Sequence, residues 1–332
     1  MQAPFNAAAT STLAICGWTE RTPALLESLE ARGLVPVAVG DRSAAALAAA
    51  AAAFRGRAGG PARYQHPREM LRRAGGNTVL LDMTEAAAEA AVLAQRGAAV
   101  LVTGDALEPD TLEMLARTGA IVSIVRPLWW LAPVAAAIQA ARPVSRLRHV
   151  TLTMGEDRPA RAIAEDLVSL AARITSERVE SITATAYGPE RGETDSVVTE
   201  LRFAHGGAAL LVAHSVPGVH IQAGLSSFTT TIEAEGDSTG GTLTVTVAGR
   251  STTTMLAEHD RTALALDDAM DELARGGTEP ERLFEEAALL RAFGNALDGA
   301  LSPEIRLPRW DVLVGGGHQS APRRDHLHLV HR

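Results

Sequence analysis

Thr12-Leu13-Ala14-Ile15-Cys16-Gly17-Trp18-Thr19-Glu20-Arg21-Thr22-Pro23 is an apolar run, a glycine turn and a helix start in twelve residues. A short apolar run closed by a turn reads as a buried strand. Thr22-Pro23 reads as the opening of a helix, because Thr caps well and Pro suits the first helical position. Leu25, Leu26 and Leu29 give that helix an apolar side and Gly33 a stop. The same alternation then repeats. Strands are expected at Leu34 to Val39, Asn77 to Met83, Ala98 to Val102 and Ala120 to Val125. Between them helices are expected after Ser43, at Pro67 to Arg73, Glu85 to Arg96 and Pro109 to Arg117. Five apolar strands separated by helices predict a parallel sheet with right-handed crossovers.

From His149 the period changes. Val150, Leu152 and Met154 alternate with Thr151 and Thr153, and after a helix at Ala160 to Ile174 the chain reads as successive strands. These are Ser181 to Ala186, Ser196 to Phe203, Ala208 to Val216, Thr229 to Glu235 and Thr242 to Val247. Gly206-Gly207 and Gly240-Gly241 read as hairpin turns. A helix at Trp129 to Ala141 bridges the two patterns, and helices at Thr262 to Ala274 and Glu279 to Leu297 close the second. The expected class is therefore α/β: an N-terminal parallel-sheet domain over 1–125, an α+β domain with a mostly antiparallel open sheet over 126–301, and an irregular tail over 302–332.

The composition narrows the function classes. The 332 residues carry a formal charge of -8, so a nucleic acid, which needs clustered Lys and Arg, is not the expected partner. The single cysteine, Cys16, allows no intrachain disulfide, and no apolar stretch is long enough to span a membrane. Without a basic n-region before an apolar run at the N-terminus, a cytoplasmic location is expected. His326, His328 and His331 are read as part of the tail rather than as a metal site, and no metal is expected.

In parallel sheets of this kind ligands sit beyond the carboxyl ends of the strands. This directs attention to Gly17 to Thr22, Asp41-Arg42, Thr84-Glu85, Thr103 to Asp105 and Arg126-Pro127. Several fragments resemble, in order, the glucose-fructose oxidoreductase/inositol dehydrogenase (Gfo/Idh/MocA) family. They are Val37 to Arg42, Tyr64 to Leu71, Ala90 to Val102, Asp195 to Gly206, Gly236 to Leu243 and Glu286 to Ala296. The resemblance spans roughly Thr12 to Leu301. It implies a Rossmann domain for NAD or NADP, a sugar-like or polyol substrate, and association of subunits through the C-terminal sheet, as a homo-oligomer or with an intact homologue. The Thr-rich segments Thr242 to Thr246 and Thr252 to Thr254 fit such a contact face.

The resemblance also exposes losses. The family's three phosphate-loop glycines fall on Gly17, Thr19 and Thr22, its catalytic Lys on Gly104, and its catalytic His on Ile163. Gly17, Thr19, Asp41, Arg42, Thr84 and Arg126 are the candidate cofactor contacts; Asp41 follows Gly17 at the spacing of a ribose-binding acid. Against this, Asp41 also reads as part of a capped turn after a strand, and Arg126 as a solvent-exposed residue before a helix. Asp166 is the candidate catalytic residue, weighed against a plain surface position on its helix. His214 is either a structural strand residue or a lining of the cleft. Trp129-Trp130 is either an aromatic wall or interdomain packing. An oxidoreductase impaired in ordinary hydride transfer is the leading expectation; a non-redox enzyme reusing the cleft, or a non-catalytic ligand-binding or partner subunit, are the alternatives.

Overall fold

The computed structural model describes residues 11–56, 60–73, 76–144, 146–188, 195–299 and 305–306. The tail histidines His326, His328 and His331 lie outside them. The first half forms strands β1 (Ser11–Cys16), β2 (Leu34–Gly40), β3 (Ala62–Tyr64), β4 (Thr78–Leu81), β5 (Ala99–Val102) and β6 (Ile121–Ile124). Among them run helices α1 (Thr22–Ala31), α2 (Ala44–Ala53), α3 (Pro67–Arg73), α4 (Ala87–Gln95) and α5 (Pro109–Arg117). All six strands are parallel, in the order β3-β2-β1-β4-β5-β6. The sheet thus has one strand more than the five expected. β3 escapes a sequence reading because Ala-Arg-Tyr is three residues long, exposed, and without an apolar run. It is held as an edge strand by pairing Ala38 with Ala62 and Gly40 with Tyr64.

A short 3-10 turn at Pro127–Trp130 and helix α6 (Ala132–Ala141) lead to β7 (His149–Glu156) and α7 (Ala160–Thr175). Strands β8 (Val179–Tyr187), β9 (Ser196–Phe203), β10 (Ala208–Ser215), β11 (His220–Ser226), β12 (Thr230–Asp237), β13 (Gly240–Val247) and β14 (Arg250–Ala257) follow. Helices α8 (Arg261–Ala274) and α9 (Pro280–Asp298) and the pair Ile305–Arg306, β15, complete the described chain. The second sheet runs β14-β13-β12-β11-β7-β10-β9-β8-β15; its pairings are antiparallel except β7 with β10. The fold is the two-sheet α/β class expected.

Three strands of this sheet were not anticipated, one of them the two-residue β15, which pairs with β8 inside the segment expected to be an irregular tail. In β11, Ile221, Ala223 and Leu225 do alternate inward, but Gly224 and the short length weaken the signal. β14 is an exposed edge with almost no buried side, so it carries no periodicity to read. The expected turn at Gly240-Gly241 is also displaced. Asp237 pairs with Gly240, so Ser238-Thr239 make the turn and the glycines begin β13. A Cβ on Gly241 would lie 2.1 Å from the Glu235 carbonyl oxygen, so close strand contact, not turning, demands glycine there.

The last two helices tie the sheets together. On α8, Ala265, Leu266, Ala269 and Leu273 pack with Leu13, Ile15 and Leu101 of the first sheet. On α9, Leu283, Ala287 and Leu290 join the other face of that sheet, whereas Leu289, Ala292, Phe293 and Ala296 join the core of the second. Trp129 packs on the second core and Trp130 on the first, which favours packing over an aromatic ligand wall. Phe293 is fully buried. Phe293→Ala is expected to cost about 3–5 kcal/mol of unfolding free energy in urea titrations, the usual price of a large core truncation; a loss below about 1 kcal/mol would show that α9 does not anchor this core.

Candidate functional site

The strand order reverses between β1 and β4, and the crevice beyond their carboxyl ends is where open α/β sheets bind ligands. Gly17 sits there with φ +93°, a conformation that suits glycine, and its amide donates to the Gly40 carbonyl at 2.9 Å. The first two amides of the loop that follows are bonded within the chain. The Trp18 amide donates to Asp41 Oδ2 at 2.8 Å, and the Thr19 amide to Thr22 Oγ1 at 2.8 Å. The Thr19 hydroxyl donates to Asp82 Oδ2 at 2.9 Å. Asp41 accepts a second amide, from Ser43, on Oδ1 at 2.7 Å. Ser43 in turn caps α2, accepting the Ala46 amide. Thr22 therefore does not cap α1 from outside; it is the helix's first residue, and its hydroxyl serves the preceding loop.

Asp82 is the residue the sequence reading missed. It is buried just past β4, its amide bonded to the Cys16 carbonyl at 2.8 Å. A Cβ on Gly17 would lie 3.0 Å from the Asp82 carbonyl oxygen, and a Cβ on Gly104 1.9 Å from Asp82 Oδ1. The signal was present: an acid directly after the buried run Val79-Leu80-Leu81 stands at a strand's carboxyl end. Trp18 is buried against Phe54 with ring centroids 5.8 Å apart. Burial pushes the Cys16 thiol far up, and the nearby charge of Glu89 adds to this, so Cys16 is no nucleophile.

Of the other candidates, Arg42 reaches across to Glu85 at 2.6 Å, beside Thr84, which opens a 3-10 turn after β4. Arg126 belongs to a different group. It is buried, its side chain 5% exposed, and pairs with Asp166 at 3.3 Å and with Glu286. This overturns both the solvent-exposed reading of Arg126 and the plain surface reading of Asp166. Arg158 bonds Asp166 at 3.0 Å and also Glu156, and Arg261 bonds Glu156 at 2.9 Å. Ser169 donates to Glu286. Three guanidinium groups thus alternate with three carboxylates, drawn from the end of β6, β7, α7, α8 and α9. The Arg126 guanidinium also lies 5.0 Å from the centre of the Trp129 ring, and that of Arg173 4.9 Å from it. Burial alone would raise the Glu156 carboxyl, but Arg158 and Arg261 outweigh it and hold the group below its ordinary value of 4.5. Ile163, one turn before Asp166 on α7, is fully buried in the second core. His214 is on the sheet face away from the inward-pointing Ala213, its Nδ1 2.8 Å from the Ser196 hydroxyl.

No family model matches the chain, and no curated protein matches it. Solved structures do. An oxidoreductase from Agrobacterium radiobacter, in complex with NAD+, L-tartaric acid and magnesium, superposes with TM-score 0.73 at 12% identity, covering 90% of this chain and 98% of that one. The WlbA dehydrogenase from Bordetella pertussis, in complex with NADH and UDP-GlcNAcA, gives TM-score 0.67 at 17% identity over 90% and 99% of the two chains. UDP-N-acetylglucosamine 3-dehydrogenase GnnA from Acidithiobacillus ferrooxidans gives 0.68 at 16% identity over 88% and 99%. These neighbours are of the Gfo/Idh/MocA type, and at these identities the likeness establishes the fold.

Removing one member of a buried charge group strands its partners, at a cost of about 3–5 kcal/mol. Arg126→Met is expected to lower unfolding free energy by that amount in urea titrations, and an unchanged midpoint would contradict the pairing. The depressed Glu156 makes the acid limb specific. Its ionised form favours the fold, a contribution present above about pH 4.5 and lost as pH falls through the lower folded value. The stability gap between the wild type and Glu156→Gln should therefore be widest near neutrality and close in acid; a gap constant with pH would refute it.

Proposed function

We propose that this chain is a Gfo/Idh/MocA-fold oxidoreductase homologue that no longer performs ordinary hydride transfer, and acts as a non-catalytic ligand-binding or partner subunit. The observation that carries this reading is the fate of Asp166. The residue best matched to the family's catalytic acid has one carboxylate oxygen against Arg126 and the other against Arg158, so both face guanidinium groups of this chain rather than a substrate. Around it the other proton-transfer positions are empty of suitable chemistry. Ile163, aligned with the catalytic His, is an aliphatic side chain closed inside a core. Gly104, aligned with the catalytic Lys, has φ +53° and no room for a Cβ beside Asp82.

The same geometry disfavours a non-redox enzyme built from the earlier candidates. Asp166 and Arg126 are spent on each other and on their neighbours, and His214 lies on the sheet face opposite the helices and their core. The dehydrogenase neighbours support a small polar molecule, sugar-like or polyol, as the ligand class. The uncovered sheet face, lined by Thr151, Thr153, Thr244 and Thr253, supports pairing with a second subunit, either another copy or an intact homologue.

The test is an absorbance assay of the purified protein with NAD+ or NADP+ and a panel of sugars, polyols and sugar acids. No reduced cofactor above the uncatalysed background is expected, and Gly104→Lys should not create activity. Saturable, substrate-dependent formation of NADH or NADPH by the wild type would overturn the proposal.

A further inference from the structure

The fold implies a dinucleotide at the β1–β4 crevice, and the residues there do not fit one. A pyrophosphate is held in such a crevice by amides that point outward with no other acceptor, and by glycines that let the backbone approach. Here the first two amides that follow Gly17 already have acceptors within the chain. Trp18 gives its amide to a buried carboxylate, Asp41, and Thr19 gives its amide to the Thr22 hydroxyl. The two residues that fall on glycine positions are thus bonded to each other. They close the loop rather than merely crowding it.

A second, independent feature acts on the same space. Asp82 stands at the carboxyl end of β4, the strand across the reversal from β1. Its carboxylate accepts the Thr19 hydroxyl and lies over Gly104. Gly104 is needed because any side chain there would displace that carboxylate. The position aligned with a catalytic lysine therefore makes room for an acid. A carboxylate beside the loop opposes a pyrophosphate.

We infer that the chain's own side chains, Asp41, Thr22 and Asp82, occupy the anion-binding elements of its Rossmann loop, so that the protein does not bind NAD(H) or NADP(H). Asp41 is then a structural brace between the β1 and β2 loops rather than a ribose ligand. This deepens the proposed loss of hydride transfer but can fail separately from it: a protein that bound NADH without turnover would refute the inference and leave that proposal standing.

The experiment titrates NADH and NADPH, without substrate, into the full-length protein and follows nucleotide fluorescence and thermal unfolding. No saturable binding and no shift in melting temperature are expected up to about 1 mM nucleotide. A dissociation constant below that for the wild type would overturn the inference. The opened loop, Thr19→Gly with Thr22→Gly and Asp82→Ala, should bind NADH at least about tenfold more tightly than the wild type. If it is folded by circular dichroism and binds no better, self-occupation is not the reason and the inference fails. Should that variant not fold, Thr22→Gly alone removes the acceptor of the Thr19 amide. It should gain measurable NADH binding, and no gain would count equally against the inference. Asp41→Ala should lower the melting temperature in nucleotide-free buffer; an unchanged value would refute its role as a brace.

Discussion

Arg126 shares one buried guanidinium between Asp166 and Glu286, and the rest of the molecule is arranged around that division. A lone arginine at this depth would be strongly destabilising, because burial removes the water that solvates its charge. The chain answers with carboxylates from separate elements. Asp166 comes from α7 and Glu286 from α9. Arg158 continues the chain of charges to Glu156 at the end of β7, and Arg261 ends it at the start of α8. Each link depends on elements far apart in sequence arriving at one place. The group therefore fixes how α8 and α9, which bury their apolar sides on the first sheet, stand against the second. Trp129, with Arg126 and Arg173 near its ring, adds an aromatic surface over which these charges lie.

The same logic of self-satisfaction governs the β1–β4 crevice. In an open Rossmann site, backbone donors are left for a ligand to complete. Here Asp41 and Thr22 accept the Trp18 and Thr19 amides, and Asp82 accepts the Thr19 hydroxyl. In both places polar side chains take partners from within the chain. A buried polar group that is satisfied internally is stable without a ligand, and its bonds must be broken before a ligand can use it. That gives the two sites a common physical meaning and joins the proposed loss of catalysis to the altered loop.

Much of the architecture was legible from periodicity. The runs Leu13 to Cys16, Val79 to Leu81 and Ala99 to Val102 are buried throughout, as parallel strands covered on both faces must be, and α3 and α5 begin and end where their proline and arginine residues place them. The elements missed are those that bury little. β3 and β14 are edge strands with exposed side chains, and nothing in their composition records the neighbour that holds them. The glycines at 240 and 241 were read as turn formers because local chemistry cannot distinguish a tight turn from a close backbone contact.

By itself the sequence determined two sheets of different pattern and the order of most of their elements. These are properties of local spacing and residue type, and they survive without knowledge of any long-range contact. Tertiary structure alone decided what the charged residues do. Glu156, Arg158 and Glu286 carry no local signature of their role, and Arg126 and Asp166, separated by 40 residues, are partners only because the fold brings the turn after β6 against α7. Charge pairing acts through space over a few ångströms, whereas sequence patterns report only on the face an element buries. For that reason the strands could be read from the chain, but the pairing of its charges could not.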